Sequence, residues 1–254
     1  MTRDDPQRQL KYNQQTLVCQ VQQGKAPGVM FLGGFGSDMT GSKASYLSEF
    51  CRQRDQAYVR FDYSGHGQSS GRFIDGTIGQ WLDDATEVFD RLTTGPQILV
   101  GSSMGGWLMV LLAMRRPKRV AGLVGVAAAP DFTEELIWQT LTPNDRQRLI
   151  DEGVIYRSSD YGPEPTPFTL GLIEDGRRHL VLTKPIPFTG AVRLLHGLED
   201  KDVPWQTSQR LGAATTSNDV VISLIKGGDH RLSSPQDLQR LGQAVAEITS
   251  LLSG

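Results

Sequence analysis

The chain has 254 residues, of which 38% are hydrophobic and 21% charged, and a formal net charge of −2. That length suits one α/β domain with a well-buried core and is short for two, and nothing in the near-neutral charge balance asks for nucleic acid or an anionic membrane as partner. Two cysteines, Cys19 and Cys51, stand in no paired motif, which fits small core residues in a reducing compartment.

Residues 1–6 hold Arg3, Asp4 and Asp5 and no apolar run. They read as neither a secretory signal nor a transit peptide, so a soluble, cytoplasmic protein is expected. Further on, short apolar and β-branched runs predict strands at 15–21, 28–33, 57–62, 97–102, 122–128, 191–196 and 219–225. Helical patterns lie between them at 42–54, 78–93, 104–116, 205–215 and 235–252. This alternation predicts βαβ crossovers and a mostly parallel sheet with helices on both faces. In such sheets chemistry sits just beyond the carboxyl ends of the strands. The longest apolar runs, 107–114 and 120–129, are too short to span a bilayer, so no stable membrane insertion is expected.

One region breaks the alternation. Between about 131 and 190 no strand is predicted. Two short amphipathic helices are expected near 133–141 and 144–152, then a stretch with Pro163, Pro165 and Pro167, and a further helix within 168–181. The region carries Phe132, Leu136, Trp138, Tyr161 and Phe168. It is read as a small helical cap inserted in a single domain of 1–254, its apolar underside lining an acyl pocket. The alternative is an ordinary connection whose aromatics pack on the domain.

The chemistry begins at Gly101-Ser102-Ser103-Met104-Gly105. This is G-x-S-x-G between a predicted strand and a predicted helix, the context in which the turn lifts a serine out of the sheet. The nucleophile is therefore expected to be Ser103. A serine hydroxyl needs a base, and the base needs an orienting acid. Of the four histidines, only His230 follows the last predicted strand, on the loop Gly227-Gly228-Asp229-His230. It is assigned as the general base. The acid must lie between Ser103 and His230 after a strand, and the loop 196–204 offers Glu199, Asp200 and Asp202. Asp200 is chosen, because Asp202 is expected to sit against the positive end of the next helix. Asp131 also ends a strand, but its simpler role is to cap the helix at 133–141. The oxyanion donors are expected to be the backbone N–H groups of Met104, at a helix N-terminus, and of Phe35, in Gly33-Gly34-Phe35-Gly36. His66 is read as holding the turn Gly65–Gly67, and His196 as bonding to a neighbouring loop. No cluster has metal-ligand spacing and no dinucleotide fingerprint is present, so neither metal nor cofactor is expected.

Three segments together resemble the α/β-hydrolase superfamily: 101–107, Arg60-Phe61-Asp62-Tyr63-Ser64-Gly65-His66-Gly67, and His196-Gly197 through Pro204-Trp205. The longer run 95–109, with 193–197 and Asp229-His230-Arg231, resembles the branch containing the mitochondrial palmitoyl-protein thioesterase, also described as an acyl-glucuronide esterase. The resemblance covers nearly the whole chain. It implies an α/β-hydrolase fold with catalytic Ser103, Asp200 and His230, the trio reached above. It implies cleavage of carboxylic esters or acyl-thioesters through an acyl-enzyme, with small-molecule, lipid-like or acylated-protein substrates and no cofactor. The missing transit peptide implies a bacterial or otherwise non-mitochondrial relative. Two other functions remain open on this fold, an acyltransferase and a non-hydrolytic ligand receptor. Haloalkane- and epoxide-cleaving relatives are disfavoured because they carry an aspartate where this chain has Ser103, and nothing here recognises the extended peptide of a peptidase substrate.

Overall fold

A computed structural model describes residues 7–158 and 164–253. Residues 1–6, Tyr161 and Pro163, on which some of the expectations above fall, lie outside the described residues. The chain opens with a hairpin, β1 (Gln7–Tyr12) and β2 (Gln15–Gln22), whose two-residue loop Asn13-Gln14 has both φ angles positive, 44° and 63°. That loop geometry matches the twist of paired antiparallel strands. Then follow β3 (Lys25–Leu32), α1 (Ser42–Gln53), β4 (Gln56–Phe61), α2 (Ile78–Leu92), β5 (Gln97–Ser102), α3 (Met104–Arg115) and β6 (Val120–Val126). After the insertion come β9 (Ala191–Gly197), α6 (Gln206–Ala214), β10 (Val220–Ile225) and α7 (Pro235–Ser253).

Eight strands form one sheet in the order β1-β2-β4-β3-β5-β6-β9-β10. The β1–β2 and β2–β4 pairs are antiparallel and the others parallel. The central strand β5 is buried at every position, because helices cover both faces. One face packs α1 and α7 through Leu47, Phe50, Val245 and Ile248. The other packs α2 and α3 through Trp81, Phe89, Trp107 and Leu108. α3 is apolar all round and ten of its twelve residues are buried, as a helix wedged between a sheet and an insertion must be. Among the described residues no helix is long and apolar enough to cross a membrane.

The insertion differs from its expected form. It contains two strands, β7 (Val154–Arg157) and β8 (Thr166–Thr169), paired antiparallel apart from the main sheet. Pro167 lies opposite Tyr156. A proline is tolerated there because a two-stranded ribbon consists only of edges, and the same proline hides the strand from pattern reading. The helix expected at 133–141 is instead a π turn over Thr133–Ile137 followed by a 3₁₀ turn over Trp138–Thr140. α4 (Pro143–Glu152) and α5 (Leu170–Arg177) do form. Thr142 caps α4 by accepting the Asp145 N–H, Pro143 opens it, and Gly153 closes it at φ 77°.

One expected cap is corrected. The Asp131 carboxylate does not cap the turn that follows. It accepts the N–H groups of Val181 and Leu182, at 2.8 and 2.9 Å, and so ties down the far end of the insertion. Amides some fifty residues further along the chain took the place of the local partner that spacing suggested. The next helix after β9, α6, has Trp205 at its N-cap position and no side-chain cap.

Candidate active site

Ser103 sits between β5 and α3 at φ 54°, ψ −121°, a conformation L residues adopt only when their surroundings enforce it. Three hydrogen bonds do so here. The Ser103 N–H donates to Val126 O at 3.0 Å, and its carbonyl accepts from Gly106 at 2.9 Å and from Ala129 at 3.0 Å. The flanking glycines are required by close approach. A Cβ on Gly105 would run into the carbonyl oxygen of Leu32, and one on Gly101 into that of Gly105.

The other candidate groups converge on this turn from the ends of β9 and β10. His230 Nε2 lies 3.0 Å from Ser103 Oγ, and its Nδ1 lies 2.8 Å from Asp200 Oδ2. The Asp200 side chain is fully buried and accepts at four points. Its Oδ1 takes the N–H groups of Asp202 and Val203, at 2.9 and 2.8 Å, and its Oδ2 takes His230 and His196, the latter at 3.1 Å. Burial pushes the Asp200 carboxyl up, but the bonds from His196 and His230 outweigh it and hold the group well below the usual carboxylate range. The two loops are stitched together, since Glu199 donates to Gly228 O at 2.9 Å and Leu198 to Ile225 O at 2.9 Å. The one metal-compatible grouping among the described residues, Asp200, Asp202 and His230, shares its Asp200 oxygens and His230 nitrogens with these hydrogen bonds.

Phe35 and Met104 flank the serine. Met104 opens α3, so its N–H has no acceptor within the helix. Gly34 lies over the serine, close enough that a Cβ on it would stand 3.4 Å from Ser103 Cβ. Its carbonyl accepts both Ser37 N–H, at 3.2 Å, and Ser37 Oγ–H, at 2.8 Å. In a trans peptide the N–H lies opposite the C=O, so the Phe35 N–H is directed away from Ser37.

His66 does something that its turn position did not reveal. Its Nε2 accepts the Gly36 N–H at 3.2 Å and its Nδ1 lies 3.3 Å from Ser64 O, which joins the 33–37 loop to the turn after β4. It is buried among the edges of Tyr63, Phe73 and Trp81, and burial pushes its pKa down to about 4. It is therefore neutral at physiological pH, as an acceptor must be. The fourth histidine, His179, follows α5, with Nδ1 2.9 Å from Asp175 O. It lines a separate polar cavity of about 490 Å³ with Asp83, Asp84 and Arg115.

The Ser103–His230 pair opens into a cleft of about 1300 Å³ whose walls include Phe35, Phe73, Phe132 and Phe168. Phe35 is the hub of these rings. It stacks on Phe168 at 5.3 Å and 9°, and meets Phe73 and Phe132 edge-on at 4.7 and 5.7 Å. Phe132, Leu136 and Phe168 bring residues of the insertion to the cleft.

A mostly parallel sheet with helices on both faces and a serine turn at its centre defines the α/β-hydrolase class. Comparison with known proteins gives the same class. The family described as serine aminopeptidase, S33 matches residues 27–150. The palmitoyl-protein thioesterase ABHD10, mitochondrial, of Bos taurus is 41% identical over 231 residues, covering 91% of this chain and 75% of its own. Its Homo sapiens counterpart is 39% identical with the same coverage. A solved protein of Agrobacterium vitis S4 superposes with a TM-score of 0.91 at 38% identity, covering 96% of this chain and 98% of its own. Alpha/beta hydrolase domain-containing protein 10 from mouse also gives 0.91, at 36% identity and with 97% and 99% coverage. The chain belongs to the α/β-hydrolase family and, within it, to the branch of these ABHD10 proteins; it is a hydrolase.

Proposed function

We propose that the chain is a serine hydrolase that cleaves acyl-thioesters or carboxylic esters through an acyl-enzyme. The observation that carries the reading is the unbroken contact series Ser103 Oγ–His230 Nε2, His230 Nδ1–Asp200 Oδ2. His230 takes the Ser103 proton as Oγ attacks the acyl carbonyl carbon, and Asp200 keeps the Nδ1 proton in place and stabilises the imidazolium. The carbonyl oxygen, now negative, is received by the Phe35 and Met104 N–H groups, each such donor contributing about 3 kcal/mol to a transition state of this kind. His230 returns the proton to the departing thiol or alcohol. Water then enters, gives a proton to His230, and releases the acid as Ser103 recovers its own. No step draws on a metal or an organic cofactor.

The insertion acts as a cap whose underside holds the acyl group. The four phenylalanine rings around the cleft support an apolar acyl chain, and the relatives named palmitoyl-protein thioesterase support a thioester of long-chain acid. Cys19 and Cys51 are buried free thiols, which fits a reducing compartment.

Ser103→Ala tests the core of the reading. Hydrolysis of a p-nitrophenyl ester and acyl-thioester series, and labelling by a fluorophosphonate, should both vanish while the melting temperature stays within a few degrees. A folded variant that still turns over esters at the parent rate overturns it, and a parent that takes the label but turns over no ester points instead to a receptor.

A further inference from the structure

Asp200 meets a second imidazole besides that of His230. We propose that His196 is a positioning residue for the reaction, acting through Asp200 by fixing the carboxylate oxygen that faces His230. The inference rests on Asp200 being the orienting acid.

The tautomer of His196 follows from its neighbours. Its Nε2 lies 3.1 Å from Asp200 Oδ2 and 3.0 Å from Val203 O, two groups that can only accept, so Nε2 carries the hydrogen. Its Nδ1 lies 2.7 Å from Ser208 Oγ and accepts the hydroxyl hydrogen. His196 and the Asp200 side chain are wholly screened from solvent, and Ser208 on α6 is buried. No water competes for these bonds, and a bond to a buried charge is stronger than one at the surface.

Geometry turns this bond into control of His230. The Asp202 and Val203 amides hold Oδ1, and because the carboxylate is a rigid plane Oδ2 leaves His230 only if the whole group swings about those two bonds. The His196 N–H holds Oδ2 itself against that swing. It also draws charge from the carboxylate. Without it Oδ2 keeps only the His230 bond.

The test sets Asn against Gln. His196→Asn keeps a polar group where Nδ1 meets Ser208 but cannot reach Asp200, whereas His196→Gln carries its amide to the Nε2 position. In the parent background His196→Asn should lower kcat/KM by roughly 10- to 100-fold with KM within about threefold, the range for losing a bond to a charged group. His196→Gln should stay within about threefold of the parent, as its donor is restored. The charged groups around the two loops (Lys43, Glu199, Lys201, Asp202, Asp229 and Arg231) are the same in every variant. In an Asp200→Asn background, His196→Asn should cost less than about twofold, because a residue acting through Asp200 has nothing left to act on. Equal losses in Asn and Gln variants, parent activity in His196→Asn, or a full loss surviving in the Asp200→Asn background would each overturn the proposal. If His196→Asn does not fold, a folded His196→Gln that loses tenfold or more overturns it alone. Parent-like activity of Asp200→Asn by itself instead removes the triad reading, so the two failures are told apart.

Discussion

Asp200→Asn is the sharpest probe of the site, because all four of its hydrogen bonds come from N–H donors. A carboxamide supplies one acceptor oxygen and one NH₂ in nearly the same volume. With the oxygen towards the Asp202 and Val203 amides, the NH₂ faces His196 Nε2 and His230 Nδ1. His230 then turns a lone pair to Nδ1 and keeps its proton on Nε2, pointing at Ser103 Oγ, where a base is needed. The wrong tautomer in a Ser-His-Asp site costs about 10⁴ in kcat, or roughly 5.5 kcal/mol of barrier. The assay is steady-state hydrolysis of a short p-nitrophenyl ester beside the rate of fluorophosphonate labelling, and both should fall together with KM little changed. Stability offers a second arm. A carboxyl held below its ordinary range stabilises the fold above the unfolded value near 4 and loses that contribution as pH falls through the folded one. Below about pH 4 the variant should therefore melt with a flatter pH dependence than the parent. A kcat/KM within tenfold of the parent would refute the reasoning, since it would mean that the tautomer of His230 does not depend on Asp200.

Other expectations follow from the same contacts. Gly105→Ala should destabilise the chain by about 1–3 kcal/mol or more, because the new Cβ meets the Leu32 carbonyl, and an unchanged urea midpoint would contradict this. His66, pushed down to about 4 by burial, binds a proton more readily unfolded than folded between pH 6.5 and 4. Stability should thus fall with pH there by up to about 1.4 kcal/mol per unit, and His66→Gln, which does not titrate, should flatten that slope in melting curves. Phe168→Ala removes the ring stacked on Phe35 and should cost about 3–5 kcal/mol of stability while raising KM more for long acyl esters than for acetyl ones. An equal rise across chain lengths would place the acyl chain elsewhere.

How much of this was legible in the sequence depended on where each constraint lies. The run 97–114 reads directly as strand, turn and helix because burial on all sides demands an apolar sequence and close backbone contact demands glycine. The hairpin strand β1 does not, since Gln7-Arg8-Gln9-Leu10-Lys11-Tyr12 is an exposed sheet edge without a buried face to impose alternation. β7 and β8 fail for another reason, since each is only four residues long with a single buried side chain, and Pro165 and Pro167 mask the second of them. The partners of His66 and His196 were equally hidden. Gly36 is thirty residues from His66, and the choice of Asp200 for His196 over any other loop group is made by the folded loop.

The acids after β4, β6 and β9 show what the folded loops add to the choice of Asp200. Asp62, Asp131 and Asp200 each follow a sheet strand, each has a buried carboxylate, and each uses its oxygens to accept backbone N–H groups from loops at the top of the sheet. All three therefore do the same structural job, holding a connection that would otherwise leave amides unpaired. Their electrostatics part company at the second oxygen. Asp62 and Asp131 spend both oxygens on amides, and burial leaves their carboxyls raised. Asp200 takes both amides on Oδ1, which frees Oδ2 for His196 and His230, and these two bonds reverse the direction of its shift. In the proposed mechanism a loop-tying aspartate becomes an orienting acid by accepting two amides on one oxygen instead of one on each. Val203 supplies that second amide, so the tight turn 200–203 ahead of Pro204 is as much part of the acid as the carboxylate.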